Sequence, residues 1–307
     1  MLGPAEYVRD SAAMNRAWSV EDSLEYTKWL ATHHYENFHV VSFLLPKRLH
    51  QDFYNVYSFC RWADDLGDEI GDKAESLRLL DWWQHELDAM YAGEARHPVF
   101  TALRGTTLKY GIPQQPFSDL IRAFVQDQKV ARYESWDGVL DYCVYSANPV
   151  GRLVLYLCGY SDAERQHLSD ATCTALQLAN FWQDVSVDYA KGRVYLPLED
   201  LRTFGVAEHE IAQQQNTPAF CALMKFQVER ARDWFRQGLP LIAKVDRDLA
   251  IDLDLFSRGG LEILNAIEQQ GYAVLGNRPA ISKSRKLGLV TRAAIAKCFG
   301  VSLGASR

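Results

Sequence analysis

Two short segments, far apart in the chain, carry acidic side chains at helical spacing. At 100° per residue, a helix would place four polar side chains of the first segment within an arc of about 60°. These are Tyr57, Arg61, Asp64 and Asp68. The second segment places four within an arc of about 80°. These are Gln177, Asn180, Asp184 and Asp188. Each segment therefore predicts one helical face with two carboxylates, called the first and the second acidic row below.

Large aromatic residues interrupt both acidic rows, which indicates that the two helices are largely buried. They are Phe59, Trp62, Phe181 and Trp182. Carboxylates one turn apart repel one another, and carboxylates withdrawn from water protonate unless a cation or a hydrogen-bond donor compensates them. Mg²⁺ prefers oxygen ligands and is typically held by one or two carboxylates together with substrate phosphates. The rows therefore predict a Mg²⁺-bridged diphosphate site facing a cavity. The alternative is a pair of solvated acidic faces.

Helical periodicity dominates the rest of the chain, and no alternating strand pattern of useful length occurs. Breaks are predicted at glycines and prolines such as Gly93 and Gly111, and Ser161 to Glu164 reads as a capping box before the second row. Because no Pro-, Gly- and Ser-rich linker separates two halves, the simplest architecture is one all-α domain around one cavity. The predicted helices cover roughly residues 21–33, 47–69, 74–92, 98–110, 115–131, 136–158, 162–190, 206–214, 217–237 and 240–270.

The composition is that of an ordinary soluble protein. The 307 residues are 48% apolar and carry a formal net charge of −6, which allows a large core and excludes nucleic acid as an expected partner. The six cysteines never form a C-x-x-C pair, so neither a zinc site nor a disulfide framework is indicated, and the reducing cytoplasm fits best. Neither a signal peptide nor an apolar run long enough to span a membrane is predicted.

The carboxyl-terminal end is basic, because no acid follows Glu268. One hypothesis is an amphipathic segment that contacts anionic lipid on the inner face of the membrane, since each basic residue near such a surface adds about 1 kcal/mol of attraction. A disordered or a surface-packed tail is the alternative. The basic residues are Arg278, Lys283, Arg285, Lys286, Arg292, Lys297 and Arg307.

Over nearly its whole length the chain resembles the head-to-head prenyl synthases, the squalene and phytoene synthase family. Within that family it is most similar to the hydroxysqualene synthases of the bacterial hopanoid and squalene route, which show His-Tyr-Glu-Asn-Phe near the start and Ser-Ala-Asn-Pro-Val-Gly-Arg in mid-chain. Besides the two acidic rows, the resemblance rests on the segments at 34–38, 142–147, 150–151, 192–197 and 271–272.

The resemblance implies an all-α, single-domain isoprenoid-synthase-type helical bundle around a central cavity. A catalytic domain is expected over residues 1–280 and a basic tail over 281–307. The implied Mg²⁺ ligands are Asp64, Asp68, Asn180, Asp184 and Asp188. The implied contacts to the substrate and its diphosphate are His34, Tyr35, Glu36, Asn37, Tyr57, Arg61, Gln177, Asn180, Arg193 and Tyr272.

The implied reaction is the conversion of presqualene diphosphate and water to hydroxysqualene and diphosphate. Its pathway neighbours would be a presqualene diphosphate synthase and a squalene-forming flavoprotein. Tyr142 and Tyr145 are candidates for relaying the proton, with packed tyrosines as the alternative. Two other functions remain open, namely condensation of two farnesyl diphosphates to presqualene diphosphate or a squalene- or phytoene-type product, and a non-catalytic role as a membrane assembly factor.

The chain departs from the squalene and phytoene synthase pattern in two places. Ser146 to Arg152 contains Pro149, which removes a backbone donor and predicts a helix kink. We expect the freed carbonyl, Ser146 and Asn148 to form a polar patch that holds the water that captures the cation. The second departure is Gln183, where several relatives carry arginine, so a cation is missing from that helix.

Overall fold

The computed structural model describes residues 1–33 and 46–299, and it confirms the predicted all-α class. The structure is 75% helical. Within the two described ranges the β-structure is limited to one isolated bridge between Arg132 and Val194, and no strand is present. In the same ranges, no helix is both long enough and apolar enough to cross a membrane.

The bounds of the helices follow the predicted pattern closely in the first half of the chain. Short 3₁₀ turns cover Lys47–Leu49 and Leu239–Lys244. The α-helices of the described ranges are α1 Pro4–Tyr7, α2 Ser11–Met14, α3 Val20–His33, α4 His50–Asp68, α5 Lys73–Ala92, α6 Pro98–Tyr110, α7 Gln115–Asp127, α8 Trp136–Ser146, α9 Asn148–Leu157, α10 Ala163–Gln183, α11 Val185–Ala190, α12 Leu198–Phe204, α13 Glu208–Ala212, α14 Pro218–Gly238, α15 Arg247–Gln269 and α16 Lys283–Phe299.

Local chemistry sets most of these boundaries. The C-cap residues of α5 and α6 are Gly93 and Gly111, both in the left-handed conformation that glycine adopts without a steric penalty. The cap of α10 differs from the prediction. Its N-cap is Asp162, whose side chain accepts a hydrogen bond from the Arg165 backbone N–H at 3.0 Å. An aspartate at this position satisfies an otherwise unpaired amide as well as a serine would.

Three long predicted helices are each divided in the structure. The predicted helix 240–270 is a 3₁₀ turn over Leu239–Lys244 followed by α15. The predicted helix 136–158 is interrupted at Ala147, and α9 begins at Asn148, so a break between two helices takes the place of the expected kink at Pro149. Pro149 instead occupies the first turn of α9, where a backbone N–H has no intrahelical partner and its loss costs little. The predicted helix 162–190 is interrupted at Asp184, between α10 and α11. The short helices α1, α2 and α12 were not predicted, because elements of four to seven residues carry almost no periodic signal.

The chain forms two compact units. Unit 1 contains residues 1–129 and 149–161, and unit 2 contains residues 130–148 and 162–307. The core of unit 1 is aromatic, with the rings of Trp62 and Trp83 stacked at 5.0 Å and an interplanar angle of 8°. His97 lies among these rings, and burial lowers the pKa of its imidazole well below the usual value. A neutral histidine therefore serves as a core residue of unit 1.

Unit 2 is organised around α10, which packs against α14 and α15. Two glycines allow the close approach. A Cβ on Gly238 would lie 2.7 Å from the backbone nitrogen of Thr172, and one on Gly260 would lie 2.4 Å from Cζ of Phe235. Real Cβ atoms do not approach other heavy atoms so closely, so a side chain at Gly238 would have to displace the backbone of α10, and one at Gly260 would have to displace the buried ring of Phe235.

The basic carboxyl-terminal segment is helical over α16 and packs on α15. Arg285 Nη1 lies 2.5 Å from Glu262 Oε2, and the guanidinium of Arg247 donates to the Lys297 carbonyl at 2.8 Å. This part of the tail is therefore an ordered helix on the surface of α15, and contact with anionic lipid stays a prediction. The predicted domain boundary at residue 280 stays a prediction.

A buried acid on α15 leads to a pH-dependent prediction. Asp252 is 4% exposed, and within the described ranges its Oδ2 has no hydrogen-bond partner. Burial raises the pKa of its carboxyl to about 7, against the opposing effect of Lys297. Between about pH 4 and pH 7 the folded protein thus binds more protons than the unfolded chain, so this group lowers stability as pH rises through that window.

We therefore expect Asp252→Asn to raise the free energy of unfolding at pH 8 by about 1–3 kcal/mol and to have a much smaller effect at pH 5. Urea unfolding at the two pH values measures the difference. Asp233→Asn is the matched control, since the Asp233 side chain is 58% exposed and pairs with an arginine, Arg236. Equal effects of Asp252→Asn at both pH values would contradict the assignment.

Candidate functional site

The first acidic row lies on α4 in unit 1. Arg61 stands between the acids, with Nη1 3.2 Å from Asp64 Oδ2 and Nη2 in contact with Asp65 Oδ1. Asp64 is partly exposed and Asp68 is exposed, whereas Asp65 is buried. Burial raises the pKa of Asp65 to about 6, although the Arg61 guanidinium opposes the shift. Asp64 and Asp68 are therefore accessible to solvent, while the buried Asp65 carboxylate holds the Arg61 guanidinium in place by an ion pair.

Aromatic packing fixes this row in place. Phe59 and Trp62 are fully buried in the core of unit 1, and Tyr57 is partly exposed on the same helix. Near the end of the helix, the Gln128 side chain donates to the Gly67 carbonyl at 2.9 Å. The predicted burial of the interleaving aromatic residues is confirmed in this row. Phe59 and Trp62 pack α4 against the core of unit 1 on the side opposite its acidic face.

The second acidic row lies in unit 2 and continues across the break at Asp184. The Asp184 N–H donates to the Asn180 carbonyl at 2.9 Å, and the Asp188 N–H donates to the Asp184 carbonyl at 2.8 Å. These bonds keep Asn180, Asp184 and Asp188 one helical turn apart from one another, so the row continues across the interruption. Phe181 and Trp182 are buried behind it, as the sequence predicts. Gln177, one turn before Asn180, is partly exposed.

Both carboxylate oxygens of Asp184 have partners. Asn180 Nδ2 donates to Oδ2 at 2.7 Å, Arg278 Nη2 donates to the same oxygen at 3.0 Å, and Arg278 Nε contacts Oδ1. Arg278 was not among the predicted site residues. The sequence showed it only as one basic residue of the tail, and nothing local connects it to a helix 94 positions earlier.

The donor set of this row suits a hard divalent cation. Asp184, Asp188 and Asn180 offer carboxylate and amide oxygens, and all three side chains reach solvent at least in part. Over residues 1–33 and 46–299 no group of three or more His, Cys, Asp or Glu side chains is placed to hold a metal. Each row by itself contributes two carboxylates, so oxygen atoms from amides and from a bound phosphate would have to complete an ion's coordination.

The turn that carries Arg193 follows directly after the second row. Gly192 has a φ of 81°, a conformation that other residues rarely adopt. The Arg132 guanidinium donates to the Gly192 carbonyl at 2.6 Å, and the Val194 N–H donates to the Ala131 carbonyl at 2.9 Å. Arg193 is partly exposed within a turn that these bonds hold fixed.

The predicted proton-relay residues differ in their surroundings. Tyr142 is 4% exposed and packs against Tyr133, Phe181 and Tyr195 at ring distances of 5.6–6.1 Å. Tyr145, nearly one turn later on α8, is partly exposed. Tyr142 therefore has the packing expected of a core tyrosine, and Tyr145 is the more accessible of the two.

The predicted polar patch is buried within unit 2. Asn148 is 6% exposed, and its Oδ1 accepts a hydrogen bond from Thr174 Oγ1 at 3.0 Å. The Ser146 hydroxyl is also buried, and among the described residues it has no hydrogen-bond partner. A buried hydroxyl without a partner is unfavourable unless water or a ligand satisfies it.

The remaining predicted contacts fall in two places. Tyr272 is partly exposed and has a φ of 64°, which is uncommon for any residue other than glycine and stores strain after the end of α15. The motif formed by His34, Tyr35, Glu36 and Asn37 lies outside the described residues.

Most of the chain matches a known protein family. Residues 31–285 match the squalene/phytoene synthase family. The chain belongs to this family. It is 36% identical to the hydroxysqualene synthase of Rhodopseudomonas palustris over 226 residues, which cover 73% of this chain and 76% of that protein. It is 28% identical to the 15-cis-phytoene synthase of Synechococcus elongatus over 281 residues, which cover 88% and 91% of the two chains.

Solved structures of the squalene/phytoene synthase family give the same result. The crystal structure of squalene synthase HpnC from Alicyclobacillus acidocaldarius superposes with a TM-score of 0.79 at 44% identity, covering 82% of this chain and 95% of that one. A dehydrosqualene synthase in complex with a ligand gives a TM-score of 0.80 at 27% identity, covering 90% and 96%. The predicted family and its helical isoprenoid-synthase fold are thus confirmed. The family acts on prenyl diphosphates.

Proposed function

We propose that this chain is a hydroxysqualene synthase, which converts presqualene diphosphate and water to hydroxysqualene and diphosphate. The observation that carries the choice within the family is the 36% identity to the hydroxysqualene synthase of Rhodopseudomonas palustris, against 28% to the phytoene synthase of Synechococcus elongatus. The second alignment is the longer one, so a phytoene-type condensation is the alternative.

The acidic rows would bind the leaving group in this reaction. Asp64, Asp68, Asp184 and Asp188 would hold Mg²⁺ with the amide oxygen of Asn180, and bound Mg²⁺ would neutralise the negative charge that develops on the diphosphate. Arg61 and Arg193 would pair with diphosphate oxygens, for which the planar guanidinium is suited. Gln177, Tyr57 and Tyr272, with the motif at 34–37, would position the rest of the substrate.

The chemistry after ionisation depends on excluding most water while admitting one molecule. Breaking the carbon–oxygen bond leaves a cyclopropylcarbinyl cation, which rearranges to the 1-1′ linked skeleton. One water oxygen then bonds to the cation and loses a proton, giving an alcohol. We propose that Ser146 and Asn148 hold this water and that Tyr145 relays its proton, giving up its own hydroxyl proton towards the released diphosphate as it takes the proton of the water, with Tyr142 as a supporting relay.

The polar patch leads to a prediction about product identity. Ser146→Ala should lower the ratio of alcohol to hydrocarbon products at least fivefold, because it removes a buried hydroxyl that has no hydrogen-bond partner among residues 1–33 and 46–299. Asn148→Ala should act in the same direction. Gas chromatography with mass spectrometry of the products measures the ratio. Ser118→Ala in unit 1 is the matched control, and an unchanged ratio in both patch variants would refute the role.

The experiment that tests the proposed function supplies purified protein with Mg²⁺ and presqualene diphosphate, without a reductant. Hydroxysqualene as the C30 product would support the proposal. A parallel incubation with farnesyl diphosphate alone, followed for diphosphate release, tests the condensing alternative. Absence of turnover in both incubations would favour the non-catalytic assembly factor. The acidic rows argue against that reading, because like charges one turn apart only destabilise a helix that binds no cation.

We further propose that α16 contacts anionic lipid on the cytoplasmic face of the membrane. Arg285 and Arg292 of this helix lie near acids of α15, whereas Leu287 is 67% exposed and Val290 is 38% exposed beside Lys283 and Lys286. An exposed helical face with both apolar and basic residues is typical of peripheral membrane contact. We call Lys283, Lys286, Leu287 and Val290 the lipid face.

Reversing two charges of the lipid face should abolish most of this contact. We expect Lys283→Glu with Lys286→Glu to weaken binding to vesicles containing phosphatidylserine at least tenfold, since each basic residue contributes about 1 kcal/mol. Vesicle co-sedimentation measures the affinity. Lys73→Glu with Lys225→Glu changes the net charge equally at two other exposed lysines. Equal weakening by both pairs would show a general charge effect and overturn the assignment.

A further inference from the structure

The segment after α15 supplies an arginine, Arg278, to the second acidic row. The helix of that row carries the neutral Gln183 instead of a cation. Arg278 lies 94 positions beyond Asp184, and its guanidinium contacts both oxygens of that carboxylate. The hydrogen bond to Asp184 raises the pKa of Arg278, and the charge of Asp188 adds to this effect. The guanidinium therefore lies in the field of both carboxylates of the row.

Residues on both sides of Asp184 hold this arrangement. Gln183 Nε2 donates to the Pro279 carbonyl at 2.6 Å, and Gln183 Oε1 accepts a hydrogen bond from Arg278 Nη2 at 3.2 Å. On the other side, the Gly276 N–H donates to Ser186 Oγ at 3.2 Å. An arginine at position 183 would repel Arg278 and offer no acceptor. The neutral amide is thus complementary to an arginine supplied from the segment at 276–279.

The Arg278 guanidinium and a divalent ion would compete for the same lone pairs on the Asp184 carboxylate oxygens. Mg²⁺ needs oxygen atoms at about 2.0–2.1 Å. The two oxygens of Asp184 are already engaged by Arg278 and Asn180. A guanidinium and a divalent ion on one carboxylate would also repel one another. A diphosphate changes the balance, because it offers the guanidinium bidentate acceptors of higher charge than a carboxylate.

We propose that Arg278 is a positioning residue that holds Asp184 in the ion-free protein and exchanges this carboxylate for the diphosphate when ion and diphosphate arrive together. The inference rests on the proposed function, since it takes the second acidic row to bind a divalent ion and a diphosphate. Its consequence is that Arg278 opposes binding of the ion alone and favours binding of the ion with a diphosphate.

Calorimetric titration with two probes tests this directly. Against wild type, Arg278→Gln should bind Mg²⁺ alone about tenfold more tightly and magnesium pyrophosphate about tenfold more weakly, a coupling within the usual range for linked sites. The opposite signs matter, because a merely structural loss would weaken both. Arg278→Lys keeps the positive charge but not the two parallel N–H donors of the guanidinium. Its affinities for both probes should lie between those of wild type and of Arg278→Gln. It also provides a second variant should Arg278→Gln not fold.

Arg285→Gln is the matched control, since Arg285 pairs with Glu262 rather than with the row. It should leave both affinities within twofold of wild type. Arg278→Gln and Arg278→Lys with unchanged or weaker Mg²⁺ binding would overturn the proposal. Wild-type protein that binds neither probe would contradict the proposed function itself, so the two failures are distinguishable.

Discussion

Replacing Asp184 by asparagine should lower the rate of diphosphate release from the substrate about a thousandfold, which corresponds to about 4 kcal/mol of transition-state stabilisation. The physical reason is that an amide carries no charge and offers one oxygen where the carboxylate offers two. An ion held by the remaining groups would neutralise the leaving diphosphate less completely. Steady-state kinetics with pyrophosphate detection measures the effect.

The loss should appear mainly in kcat, because the charge on the leaving group grows as the carbon–oxygen bond breaks. Asp233→Asn serves as the control, since Asp233 is 58% exposed and pairs with Arg236 on the same unit. Thermal unfolding of both variants checks that the fold is intact. Activity of Asp184→Asn within tenfold of wild type, with a normal unfolding temperature, would exclude Asp184 from the reacting site.

Replacing Gly238 by alanine should lower the free energy of unfolding by about 3 kcal/mol, although it adds only one methyl group. The new Cβ would lie 2.2 Å from Thr172 Oγ1 and 2.7 Å from the Thr172 backbone nitrogen. The hydroxyl can rotate away, but the backbone of α10 cannot move without displacing the helices packed on it. Since α10 carries the second acidic row, we also expect a loss of activity.

Gly259→Ala is a control matched in chemistry. A Cβ at Gly259 would meet nothing within 4 Å, and the residue lies inside α15, where alanine is preferred over glycine by about 0.5–1 kcal/mol. This variant should be slightly more stable than wild type. Urea unfolding of the two variants measures the difference. Similar stabilities would show that α10 and α14 can separate at little cost.

Features that depend on neighbours within one or two helical turns were predictable from the order of the residues. Asp64 and Asp68, and Asp184 and Asp188, share helical faces because the α-helix repeats every 3.6 residues, and this repeat is readable without coordinates. Gly93 and Gly111 ended helices where expected, since a left-handed C-cap is a local requirement. The family was readable as well, because its motifs are short and contiguous.

Contacts between these local features and groups far along the chain could be seen only in the folded protein. Folding paired Arg278 with Asp184 across 94 positions, divided the second row's helix at Asp184, and buried the Ser146 hydroxyl where no other described residue bonds to it. The physical reason is the range of the interactions. A helical stripe is fixed by bonds between residues four apart, whereas an ion pair or a buried hydroxyl depends on the packing of helices that the chain order does not specify.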